Sequence, residues 1–133
     1  MRYLLAYLGS GLTMGVLDAI WLTLMAPRLY QPAIGELMAA RPNMRAAIAF
    51  YLIYVFGVVF LAVMPALREG SALRAAIMGG VLGLVAYATY DLTNQATLRI
   101  WPTHITLIDL AWGVFLTTTA ALGGYWLANR FSS

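Results

Sequence analysis

The sequence predicts an all-α protein, a four-helix transmembrane bundle with both termini on the same side. Three observations predict it. The chain holds four charge-poor apolar runs, each near the roughly 20 residues that cross about 30 Å of hydrocarbon. Of its 133 residues, 62% are hydrophobic and 10% charged, where a soluble domain is about half apolar and a quarter charged. Arginines and prolines bracket the runs, and mean hydropathy is +0.81. The length suits a single transmembrane domain over residues 1–133.

The first span is read over residues 3–26, ending before Pro27 because proline breaks the helical hydrogen-bond ladder. It is too long for the apolar part of a signal peptide and is expected to be retained. The second runs over 46–67 between Arg45 and Arg68, with Pro65 expected to kink its end. The third covers 75–98 between Arg74 and Arg99, and the fourth covers 105–129, closed by Arg130. Between the first two lies the one long loop, punctuated by Pro27, Pro32 and Pro42. There Ile34, Leu37 and Met38 have helical spacing, so an interfacial helix over 33–40 competes with a plain connector.

Side A denotes the face holding the termini and side B the opposite face. Arg2, Arg68, Arg74 and Arg130 fall on A; Arg28, Arg41, Arg45 and Arg99 fall on B. The positive-inside rule counts these cations and they tie; the orientation adopted puts the termini in the cytoplasm.

Composition also excludes chemistry. With no cysteine there is no disulfide, thiolate nucleophile or thiolate metal site. With no lysine there is no Schiff base. The net charge of +3 contains no basic run, so lipid headgroups suit it and nucleic acid does not. No Ser-His-Asp set, phosphate loop or dinucleotide fingerprint occurs. No His/Cys spacing supports zinc. Asp18, Asp91, Asn94 and Asp109 offer oxygens of the kind a hard cation takes, but no metal or other cofactor is expected.

The informative residues are three of the five acids, Asp18, Asp91 and Asp109, which lie inside the apolar runs. A charge at bilayer depth costs roughly 2.5–3.5 kcal/mol even on mild scales. At a 1.5 Å rise per residue, Asp18 lies about 12 Å, Asp91 about 10 Å and Asp109 about 6 Å from side B. Tyr51, Tyr54 and Asn94 share that half, with Trp101 and His104 at its surface. Helical rotation puts Gly80, Gly83, Tyr87, Asp91 and Asn94 on one stripe. Gly11, Gly15 and Asp18 share another, and Asp109, Gly113, Ala120 and Gly123 a third, with Trp112 on its flank. Gly11-xxx-Gly15 and Gly79-xxx-Gly83 have the spacing of close helix crossings. A pocket open to side B is therefore expected, built from Asp18, Asp91, Asn94, Asp109, Tyr51, Tyr54, Tyr87, Trp21 and Trp112.

Bland roles compete with that reading. Asp109 lies near the start of its helix, where the dipole welcomes a carboxylate. The tyrosines suit packing and the tryptophans an aromatic belt, Trp101 above all. Asp18-x-x-Trp21 and Asp109-x-x-Trp112 repeat one pattern on antiparallel spans, as an inverted repeat would.

Longer strings carry a resemblance. They are Leu17-Asp-Ala-Ile-Trp-Leu22, Tyr30, Gly35-Glu-Leu-Met38, Phe50-Tyr-Leu-Ile-Tyr54 and Pro65-Ala-Leu67. There follow Ala86-Tyr-Ala-Thr-Tyr-Asp-Leu-Thr-Asn94, Ala96-Thr-Leu98, Trp101-Pro102 and Asp109-Leu-Ala-Trp-Gly113. Together, over nearly the whole chain, they resemble the bacterial membrane-protein family catalogued as domain of unknown function 2177. That resemblance implies four helices in a bacterial inner membrane and places Asp18, Asp91, Asn94 and Asp109 in the motif set. It implies no reaction.

The expected function is binding of a lipid or other amphiphile in an acid-lined intramembrane pocket, with its modification or movement a further step. The alternatives are a proton-coupled small-molecule exporter working as a homo-oligomer, similar to the small multidrug transporters, and a non-catalytic assembly factor. Membrane lipids are the expected partners.

Overall fold

The computed structural model describes residues 1–132. Among these the chain forms four helical rods, each long and apolar enough to cross a membrane. The first comprises α1 (Arg2–Met25), a π-helical turn (Ala26–Tyr30), α2 (Gln31–Ile34) and a 3₁₀ turn (Gly35–Leu37). The second comprises α3 (Met44–Val58), a π-helical turn (Val59–Val63) and α4 (Met64–Glu69). The third is α5 (Ala72–Thr97) and the fourth α6 (Thr103–Phe131).

The first rod does not stop at Pro27, where the sequence reading ended it. It continues to Leu37, and only residues 38–43 separate it from the second rod. The π turn supplies the reason. Pro27 has no N–H to give the ladder, and the backbone widens by one residue, so that Gln31 N–H bonds to Ala26 C=O. The second rod uses the same device. Met64 N–H reaches Val59 C=O just before Pro65, so the widened turn meets the proline inside an otherwise continuous helix.

The rod ends follow their sequences. Asn43 caps α3 by accepting from Ala46 N–H at 3.1 Å. Ser71 caps α5 by accepting from Arg74 N–H at 3.1 Å. Gly70 takes a left-handed conformation, φ 65°, which costs a glycine nothing. This lets Ser71 N–H reach back to Ala66 C=O at 3.0 Å and close α4.

The fourth rod is the centre. α6 buries a continuous face from Ile105 to Ala128, packing on α1 along one side and α5 along the other. Small residues allow the approach. A Cβ added at Gly9 would lie 2.6 Å from the Gly123 carbonyl oxygen, and one at Gly83 would overlap the Gly113 carbonyl. Ser10 Oγ also donates to Ala120 C=O at 2.8 Å. The close crossing on α1 is therefore made by Gly9 and Ser10, whereas Gly11-xxx-Gly15 was expected to make it. Gly11 meets only Val55 Cγ1 at 3.7 Å, and Gly15 meets nothing within 4 Å. Those two glycines line a shallow groove of about 450 Å³ towards α3. Helical spacing identified the motif, but rotation turned the neighbouring pair towards α6.

The second rod leans on the bundle mainly through its A half, with Tyr51 and Tyr54 as hydrogen-bonded ties further towards side B. Val58, Val59, Ala62, Val63, Ala66 and Leu67 are buried in the A half, whereas Met44, Arg45, Ile48 and Phe50 stand exposed. α3 thus diverges from α5 towards side B. Outside the contacts, the rods expose Leu8, Leu12, Val16, Ile53, Phe56, Phe60, Val81, Val85 and Phe115. An exposed apolar girdle of this extent is what hydrocarbon solvates.

Candidate functional site

Towards side B, Asp18 and Asp109 line one cleft of about 300 Å³. Its walls include Trp21, Trp112, Tyr30, Tyr87 and Tyr90, with Ile34 and Met38 closing the B end. Ile34 comes from the continuation of the first rod beyond Pro27, and Met38 follows directly after its end. That continuation folds over the cleft and is anchored by Ile34 packing on Trp101 and Ile105.

Each carboxylate of the cleft receives a tyrosine. Tyr51 donates to Asp18 Oδ2 and Tyr30 donates to Asp109 Oδ1. Each tryptophan of the repeated Asp-x-x-Trp pattern serves the other copy. Trp112 Nε1 donates to Asp18 Oδ1 at 3.3 Å. Trp21 Nε1 donates to the Tyr30 hydroxyl at 3.0 Å, which in turn serves Asp109. The two indoles stack on each other, ring centroids 4.3 Å apart and 10° from parallel. Because α1 and α6 are antiparallel, one turn of spacing between Asp and Trp brings each Trp past the other helix's Asp. The repeat thus has a local, crosswise pairing, whatever its origin.

Asp91 stands behind Asp109. It is fully buried, and neither carboxylate oxygen has a donor. Its carboxyl lies within hydrogen-bonding reach of Asp109, but two carboxylates offer no donor between them unless one holds a proton. Gly113 makes room for this corner, since the Tyr87 ring lies where a Cβ would stand.

The nine sequence-predicted residues do not all meet. Asp18, Asp109, Trp21, Trp112 and Tyr87 line the cleft. Tyr51 reaches it through Asp18, and Asp91 backs it. Asn94 lies in an adjoining recess of about 500 Å³ at side B, with Trp101, Leu98 and Pro42. Tyr54 belongs to the main core, where its hydroxyl pairs with Thr117 Oγ1 at 2.8 Å. Asp109 sits in the second turn of α6, past the first turn in which a helix dipole acts, so capping does not explain it. Trp101 is buried, its Nε1 bonded to Thr106 Oγ1 at 3.2 Å.

Sequence reading missed Tyr30, Tyr90 and Phe50. Tyr30 follows Pro27, where the sequence predicts a helix end, and so falls in the expected loop. Phe50, Ala86, Tyr87 and Tyr90 frame a further recess of about 320 Å³ with almost no polar surface, between the diverging α3 and α5. Through Tyr87 and Tyr90 it adjoins the acid-lined cleft. Among the described residues, no group of three or more His, Cys, Asp or Glu is placed to hold a metal ion.

Comparison with known proteins gives one match. Searches of the curated proteins and of the solved structures found no match. A family model described as "Predicted membrane protein (DUF2177)" matches residues 3–126. That span reaches into all four rods and includes every residue of the cleft, and the chain belongs to this family of membrane proteins.

Proposed function

We propose that the protein binds a lipid or other amphiphile in the B-half cleft, as a step in modifying or moving it. The aspartates receive the polar end, the tyrosines orient it, and the hydrocarbon tail leaves sideways between α3 and α5. One observation carries this reading. A mostly apolar cleft that carries two aspartates adjoins, through Tyr87 and Tyr90, a recess with almost no polar surface between α3 and α5. Amphiphile sites need both characters in contact, and mostly apolar walls with a few placed polar groups are the usual composition. The same reading places the protein in a bacterial inner membrane with cytoplasmic termini, which reporter fusions at each end would check.

The test is to purify the protein from native membrane with a mild detergent and identify retained lipid by mass spectrometry. Retention of a defined amphiphile, lost in Asp18→Asn and Asp109→Asn variants that remain monodisperse, supports the proposal. Equal retention of bulk lipid by parent and variants defeats it.

A second reading has its own support. Tyr51–Asp18 and Tyr30–Asp109 each tie together elements distant in sequence, so the acids also fit the role of interhelical glue. On that reading the Asn variants lose stability and leave amphiphile retention untouched.

A further inference from the structure

We infer that the cleft takes a primary ammonium group, carried by a long-chain amine or an aminolipid. This rests on the amphiphile reading and names the charge and donor count of the ligand's head.

The sign of charge comes first. Asp18 and Asp109 line the cleft and no Arg or His does. The ion pair found among the described residues, Arg74 with Glu69 at 3.6 Å, lies at the opposite face. A carboxylate withdrawn from water and left without a cation is strongly disfavoured, and a ligand cation removes that cost.

Asp91 is the independent observation. Two acceptor oxygens, wholly buried and without a donor, are rare in a folded protein and call for a partner. Asp91 does not line the cleft itself but neighbours Asp109, which does. A donor arriving at Asp109 from the cleft is drawn by both acids, and Asp109 keeps Oδ2 free of the Tyr30 bond.

The ligand's size follows from the spread of the acids. A metal needs its oxygens converging at about 2.3–2.6 Å, and the three acids do not converge so. An ammonium group works at ordinary hydrogen-bond length, about 2.7–2.9 Å to a carboxylate. A primary ammonium has three N–H donors; a quaternary one has none. The rings of Tyr87, Tyr90, Trp21 and Trp112 around the cleft add the attraction of aromatic faces for a cation.

The experiment measures binding of dodecylamine, dodecanol and dodecyltrimethylammonium to the protein in phosphatidylcholine nanodiscs, with empty discs as reference. Dodecylamine is expected to bind about tenfold more tightly than dodecanol, the equivalent of one charge-assisted hydrogen bond, and more tightly than the quaternary amine. Asp18→Asn and Asp109→Asn should each erase most of that preference.

Equal affinity for amine and alcohol overturns the inference and leaves the amphiphile reading standing. Failure of both to bind overturns the amphiphile reading itself. A preference for the quaternary amine over the primary one also overturns the inference. Should the Asn variants not fold, the parent's ranking of the three probes decides. Replacing phosphatidylcholine by phosphatidylethanolamine separates the two sources: competition with dodecylamine identifies an aminolipid, and its absence a free amine.

Discussion

Replacing Tyr30 by Phe tests the cleft's hydrogen-bond network with the smallest change in volume. The hydroxyl donates to Asp109 Oδ1 and accepts from Trp21 Nε1 at 3.0 Å. Removing it leaves a nearly buried carboxylate, 6% exposed, and an indole N–H without their partner. An orphaned buried polar group costs about 1–3 kcal/mol. In membrane proteins the unfolded reference also finds partners, and measured hydrogen-bond values average about 0.6 kcal/mol, up to about 1.7. Two partners are affected here, so Tyr30→Phe should lose about 1–2 kcal/mol.

Tyr90→Phe is the control. It lines the same cleft, but its hydroxyl has no bond and the residue is 57% exposed, so its loss should stay within about 0.5 kcal/mol. The assay is reversible unfolding in mixed micelles at increasing sodium dodecyl sulfate, followed by tryptophan emission. A cycle with Asp109→Asn then isolates the pair, and the double variant should lose less than the two single losses added. Equal midpoints for Tyr30→Phe, Tyr90→Phe and the parent would refute the network as drawn.

Three further outcomes follow from the packing. Gly83→Ala should destabilise by about 1–3 kcal/mol, as overpacking does, because its Cβ meets the Gly113 carbonyl. Gly15→Ala, with nothing within 4 Å, should be neutral or stabilising by up to about 1 kcal/mol; micelle unfolding of the two side by side checks both. Gly70→Ala should lose about 1–2 kcal/mol, since φ is 65° there, and amide exchange should rise selectively in the turn joining α4 and α5. Pro65→Ala should restore an ordinary helical ladder through Val59–Val63, which NMR chemical shifts of that stretch would report.

Much of the site was legible because acids inside apolar runs are conspicuous. Distance along a straight helix is simple arithmetic, and it puts Asp18, Asp91 and Asp109 towards one end of the bundle, where Asp18 and Asp109 share a cleft. Rotation was less dependable. It carried Asp91 and Asp109 to the interior but misassigned the α1 crossing, because Gly9 and Gly11 differ by two residues and hence by about 200°. Tyr54 shared the right depth and faced the core. Tyr30 was hidden by a proline that a π turn absorbed.

Sequence by itself determined the four spans, the all-α class and the grouping of the three acids towards one end of the bundle. These follow from local quantities: hydropathy over about 20 residues, a fixed rise, and the cost of charge in hydrocarbon. Only the tertiary structure decided that Trp112 serves Asp18, that Trp21 serves Asp109 through Tyr30, and that α3 stands off α5 to leave a lateral opening. Those depend on which helix lies beside which and at what rotation. In lipid that choice rests on small-residue contacts such as Gly9 on Gly123 and Gly83 on Gly113, because an apolar stripe facing a neighbour reads the same as one facing the bilayer.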